Sequence, residues 1–181
     1  IMYGLVNQAI QGLVIEKFGE ETWRNVQADS SIEIDRFLSN ESYDDSITFT
    51  LAKSVAKVAN MSLQNVLRAL GEYWVLDTGT KKYGALMKAG GNNFKEFLIN
   101  LPNFHGRVML IFPNITPPEF HISEIGENSL VLHYYSTREG LTDFMHGLLS
   151  GLAIMYKVNA TIKLKSGKTE NKDHDIFEIA W

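Results

Sequence analysis

Tyr134, Ser136 and Arg138 alternate within Tyr134-Tyr135-Ser136-Thr137-Arg138, and alternate residues of an extended strand point to one face. A phenol, a hydroxyl and a guanidinium fork on one line suit a carboxylate or phosphate, because Arg pairs with such groups bidentately and hydroxyls take the remaining lone pairs. The same pattern also fits a solvated strand face with a surface Arg. A second chemically capable residue is His105, one of five histidines, on an apolar stripe formed by Phe94, Phe97, Leu98, Leu101, Val108, Met109 and Phe112. A lone imidazole in such a stripe is more commonly a hydrogen-bonded core residue than a metal ligand. Taken together, the two features narrow the choice. A ligand needing both an apolar slot with a neutral imidazole and a set of anion-binding donors is an iron tetrapyrrole bearing propionates.

Other candidate motifs are weaker. Asp173-His174-Asp175 lies at a polar hairpin entrance and reads as solvated turn chemistry rather than a metal site, while His121 and His133 alternate with apolar strand residues and receive no role. There is no H-E-x-x-H, G-x-S-x-G, P-loop or EF-hand loop. The chain of 181 residues has no cysteine, which removes thiolate metal sites, iron-sulfur clusters, thiol nucleophiles and covalent C-x-x-C-H haem attachment. Seventeen basic and 21 acidic residues give a net charge of -4 without a basic block, so nucleic acid is not an expected partner. No run of about 18 uncharged apolar residues and no signal-peptide pattern is present, which predicts a cytoplasmic protein without a membrane partner. Met2 reads as the natural start and Ile1 as an addition. At this length about 70% of the unfolded surface can be buried, so a single domain spanning 1–181 needs no metal for stability.

The elements that must position these residues follow from periodicity. Leu5, Val6, Ala9, Ile10, Leu13 and Val14 recur at helical spacing, and Gly19 is a natural stop. Helices are predicted over 20–28, 45–58 and 62–74, the last with Ser62 as N-cap. Gly79, Gly84 and Gly90-Gly91 break up the next stretch, and Pro102 restarts a helix after a break near Asn100, placing His105 one turn in. Past Pro117-Pro118, Phe120, Ile122 and Leu130 to Tyr135 read as a hairpin across Gly126-Glu127-Asn128. A helix over 141–156 follows, then a hairpin turning through Ser166-Gly167 and closing at Ile176 to Trp181. Helices first and then ββαββ is an α+β arrangement, with helices on one face of an antiparallel sheet.

Several segments, in this order and spacing, resemble the H-NOX family, the haem nitric oxide/oxygen binding domains of bacterial gas sensors and of the soluble guanylate cyclase β subunit. They are Met2-Tyr3-Gly4-Leu5-Val6-Asn7, Gly71-Glu72-Tyr73-Trp74, Asn100 to His105, Pro117-Pro118 and Leu132 to Leu141, with Y-x-S-x-R intact as Tyr134, Ser136 and Arg138. The resemblance implies that haem b, iron protoporphyrin IX, is buried between the helical and ββαββ portions. It assigns His105 as the iron ligand, Tyr134, Ser136 and Arg138 as propionate donors, and Pro118 as a residue pressing on the ring, although Pro118 also fits an ordinary loop terminator. The distal wall positions that match are Val6, Ile10, Trp74, Phe144 and Leu148, each of which could equally be plain core.

The position of the family's oxygen-stabilising tyrosine is Phe144, which has no hydroxyl, so the resemblance implies a preference for nitric oxide and carbon monoxide over oxygen. Trp74 carries a donor-capable indole N–H, whereas His146 lies two residues past Phe144 and on another helix face. By the same resemblance, nitric oxide weakens or breaks the iron-histidine bond, and the signal passes to another chain or domain, either a separate histidine kinase or cyclic-nucleotide enzyme or the rest of a larger receptor of which this is the N-terminal module. No distal acid-base pair for haem catalysis is evident, so the chain is not expected to be an enzyme. The competing reading is a haem-free module that holds a fatty acid or another carboxylate in the same cavity.

Overall fold

The computed structural model describes residues 2–113, 116–171 and 173–181, so Ile1 lies outside it. The helical portion opens with a short strand β1 (Met2–Tyr3), which pairs antiparallel with β2 (Ser42–Tyr43). Between and after these strands lie α1 (Gly4–Phe18), α2 (Glu20–Ser30), α3 (Asp45–Val58) and α4 (Leu63–Tyr73). Local chemistry sets the starts: Asp44 caps α3 by accepting from the Ser46 amide at 2.8 Å, and Ser62 caps α4 by accepting from the Asn65 amide at 3.2 Å. Gly19 ends α1 at a φ of 87°, where a side chain would be strained. The apolar stripes of α1 to α4 close into one core containing Ile10, Val14, Phe37, Leu51 and Leu70.

Beyond α4 the chain runs through a π-helical segment (Trp74–Gly79) into α5 (Thr80–Lys88). Gly79 does not break it, contrary to expectation; glycine in a helix costs only about 1 kcal/mol, and neighbouring packing offsets that. Gly79 in particular lets the Trp74 carbonyl and ring come close, since a Cβ there would meet them at 3.2 and 3.3 Å. Beside Gly84, however, the backbone leaves helical geometry at Tyr83 and α5 kinks. The break comes at Gly90-Gly91, followed by α6 (Phe94–Ile99) and α7 (Leu101–Ile111), with Asn100 between them and Pro102 in the first turn as expected.

The second portion is a four-stranded antiparallel sheet in the order β3-β4-β6-β5, built from β3 (Glu119–Ser123), β4 (Ser129–Tyr135), β5 (Thr161–Ser166) and β6 (Asp175–Ala180), with α8 (Thr142–Met155) between the hairpins. Phe120, Leu130, Leu132, Phe177 and Ile179 on its inner face meet Leu149 and Leu152 of α8 and Phe97 and Leu98 of α6 in a second core. The final hairpin is not a tight turn at Ser166-Gly167, because a short helix α9 (Lys168–Asn171) occupies the connection. Among the described residues no helix is long and apolar enough to cross a membrane.

The two cores meet along α4 and α8. Gly71 and Gly147 let the backbones touch: a Cβ on Gly147 would lie 2.1 Å from the Arg68 carbonyl oxygen, and one on Gly71 would lie 2.3 Å from that of Phe144. Backbone cannot swing aside as a flexible side chain can. Gly147→Ala is expected to lower the unfolding free energy by about 2 kcal/mol, at the strained end of core overpacking, read as a shift of the urea midpoint. An unchanged midpoint would show that the helices separate at little cost.

Candidate functional site

Between the cores lies a cavity of about 200 Å³, partly open to solvent, walled by residues of both portions. His105 is in this wall, one turn into α7. Its Nδ1–H donates to the Leu101 carbonyl at 3.1 Å, the only polarity possible with a carbonyl acceptor. Burial pushes the imidazole below its ordinary pKa, outweighing the opposing influence of the Leu101 carbonyl. The ring is thus neutral at pH 7, with its lone pair on Nε2, the form that ligates a metal.

An aromatic ladder joins this imidazole to the anion-binding motif. Phe120 lies 4.8 Å from His105 and 5.6 Å from Tyr134, measured between ring centroids. Tyr134 ends the inner face of β4, and burial raises its phenol above the usual value. Ser136 and Arg138 lie beyond the end of β4, so strand alternation does not align them as the sequence suggested. A turn brings them together instead: the Arg138 amide donates to Ser136 Oγ at 3.1 Å, and all three residues reach the cavity. The Arg138 guanidinium is only 14% exposed, placed by Asp45 Oδ2 of α3 at 3.3 Å and by the Thr116 carbonyl at 3.2 Å. Pro118 lines the cavity on the stretch leading into β3, whereas Pro117 does not.

Val6, Trp74, Phe144 and Leu148 line the cavity as the sequence suggested. Ile10 does not. It is 1% exposed and packed among Leu13, Val14 and Leu70 in the helical core, because the four-residue step from Val6 along α1 follows the core face away from the opening. Sequence reading missed Leu101, Phe104, Phe120 and Met145 in the wall, although Leu101 lies one turn before His105 and so shares its face. It also missed Tyr83, which sits at a kink in α5 with φ -127° and ψ 29° and packs on Phe112 at 5.9 Å. Tyr3 packs on the same Phe112 at 4.8 Å, so the end of α7 is held between β1 and α5.

Asp173-His174-Asp175 is not a solvated turn. The His174 side chain is 13% exposed, stacks on Tyr135 at 4.1 Å and lies 2.9 Å from His133 Nδ1 through Nε2, while Asp175 is 3% exposed. Asp173 Oδ2 lies 3.0 Å from His174 Nδ1 and accepts its proton in a hydrogen bond. On the far side, His133 Nε2 lies 2.9 Å from Ser123 Oγ. These contacts give His133 a place on the outer face of the sheet.

Among the described residues no group of three or more His, Asp or Glu side chains is arranged to hold a metal ion. An apolar wall carrying one neutral imidazole and a polar Tyr134–Arg138 rim fits the apolar ring and carboxylate edge of an iron tetrapyrrole.

The two kinds of buried wall residue should respond differently to truncation. Ile10→Ala in the closed core is expected to cost the unliganded protein about 3–4 kcal/mol, and Leu148→Ala beside existing empty space about 1–2 kcal/mol. Urea unfolding measures both, and equal losses would contradict the separation of core from cavity wall.

Comparison with known proteins agrees with this layout. A family model described as Haem-NO-binding matches residues 3–164. Soluble guanylate cyclase gcy-32 of Caenorhabditis elegans is 27% identical over 177 residues, covering 96% of this chain and 26% of its own length. Soluble guanylate cyclase 89Da of Drosophila melanogaster is 22% identical over 152 residues, covering 84% and 23% respectively. The chain thus spans about a quarter of the length of these relatives. The crystal structure of an H-NOX protein from S. oneidensis in the Fe(II)NO ligation state superposes with a TM-score of 0.86 at 21% identity, covering 98% of each chain. That of an unliganded Fe(II) H-NOX protein from K. algicida gives 0.83 at 24% identity, over 99% of this chain and 96% of the other.

Proposed function

Because this chain belongs to the haem-NO-binding (H-NOX) family, we propose that it is a gas-sensor domain whose cavity holds haem b, with His105 on the iron and Tyr134, Ser136 and Arg138 on the propionates. One observation carries the reading: a neutral imidazole with its Nδ1 committed to Leu101 faces an apolar cavity whose rim bears a buried guanidinium and two hydroxyls. When bound, the group supplies an iron centre that can take a diatomic gas. The rest is done by the chain. Leu101 fixes the His105 tautomer, Asp45 and the Thr116 carbonyl aim Arg138, and Pro118 adds a rigid wall beside His105.

Of the residues lining the cavity, the side chains of Val6, Phe144 and Leu148 carry no hydrogen-bond donor that could face a gas held there. Oxygen gains more than nitric oxide or carbon monoxide from such a donor, so this wall favours the latter two. A missing charge-assisted hydrogen bond of about 1.5–3 kcal/mol corresponds to roughly 10- to 150-fold in affinity. The Trp74 indole is a donor that also lines the cavity, as do the Tyr3 and Tyr83 phenols, and their contribution is read out by the same gas titration.

Signal output rests on α7, which carries His105 at one end and the clasped Phe112 at the other. Displacing α7 therefore reaches β1 and α5 directly. A partner senses it only to the extent that it binds the two arrangements with different affinity. The partner is a histidine kinase or a cyclic-nucleotide enzyme, in another chain or another domain, and this domain performs no catalysis itself.

His105→Gly protein should lose most of its haem on gel filtration and regain it with added imidazole; full retention without imidazole would remove His105 from the iron. Phe144→Tyr should raise oxygen affinity at least 10-fold in optical titrations, by the hydrogen-bond arithmetic above. No gain would leave gas choice to Trp74 or to access.

A further inference from the structure

Next to the apolar cavity, and sharing Tyr134, Ser136, Arg138 and Leu141 with it, is a polar cavity that Lys168 and Asp175 also line. Lys168 begins α9, the short helix that replaces a tight turn between β5 and β6. Its ammonium donates to the carbonyl of Ser136 at 2.7 Å, at the centre of the anion-binding motif. Asp175 anchors the backbone at this point, accepting from the Lys168 amide at 2.6 Å and from Thr142 Oγ1 at 2.7 Å. The side chain is thus held over the motif by contacts from β6 and α8 that are independent of any guest.

Charge balance gives this placement a purpose. A guest with two carboxylates brings two negative charges to a site where the Arg138 guanidinium already faces Asp45 at 3.3 Å. Asp175, 3% exposed, adds a further carboxylate to the polar cavity. Desolvated carboxylates without matching cations are costly, so one guanidinium shared with Asp45 leaves the second acid group undercompensated. An ammonium has three donors, of which the Ser136 carbonyl takes one.

We propose that Lys168 is the second cation of the propionate site, binding the acid group that Arg138 does not. The proposal rests on the haem reading above, and its test separates the two. The apoprotein is loaded with hemin or with hemin dimethyl ester, whose acid groups are neutral, and transfer to excess apomyoglobin is followed by absorbance. Lys168→Met should speed the loss of hemin about 5- to 10-fold, the effect of one partly buried charge-assisted contact, and leave loss of the ester unchanged within two-fold. Lys168→Arg, which keeps the charge, should stay within two-fold of the unmodified chain for hemin. Equal acceleration with both haems, no acceleration, or an Arg variant as poor as the Met variant would overturn the proposal while leaving the haem site standing. Failure of the unmodified chain to take up either haem would overturn both readings.

Discussion

Everything distinctive in this structure depends on keeping one imidazole uncharged among apolar side chains. A protonated His105 would have to donate from both nitrogens, and Leu101 can accept from only one of them. Apolar surroundings make the charged form costly, and the helical carbonyl one turn back sets which nitrogen keeps the proton. Neither condition is met by His105 alone. Phe104 and Phe120 pack against the ring, and Phe120 is itself held by the sheet. A helix, a strand and a tautomer thus form a single constraint.

The polar rim reaches the same cavity by a different route. Arg138 sits on a loop, where a long side chain would ordinarily wander, but Asp45 draws it toward the helical portion. Lys168 is likewise anchored from outside the motif, its amide donating to Asp175. Positively charged side chains are thus presented by backbone and carboxylate contacts from three parts of the chain, an arrangement that limits the ordering they undergo on meeting an anion.

Much of this layout was legible in the sequence because it rests on local rules. The helix stop at Gly19, the Ser62 cap, the restart after Asn100 and the two hairpins are each written in a few neighbouring residues. The Tyr134–Arg138 spacing pointed to the right residues for an incomplete reason, since a turn and not strand alternation brings Ser136 and Arg138 together. What stayed hidden depends on distant partners. Ile10 and Val6 both look like members of one apolar stripe, and only the packing of α1 against α3 and α4 sends the first into the core and the second to the cavity. The same holds for the π-helical segment, where Trp74 adjoins both major cores, and for α9, whose four residues contain no strong helical signal.

The helical core closes around Ile10, Phe37 and Leu51 without using the residues that face the cavity at Val6 and Leu148. In the helical portion the core and the cavity wall therefore draw largely on separate side chains, Trp74 and Phe144 touching both, whereas in the sheet portion Phe97, Phe120 and Leu152 serve both. Such a division gives a lineage room to explore: the guest chamber can be resculpted by successive replacements while the helical scaffold keeps its own reserve of stability, so new chemical tastes need not await compensating repairs elsewhere.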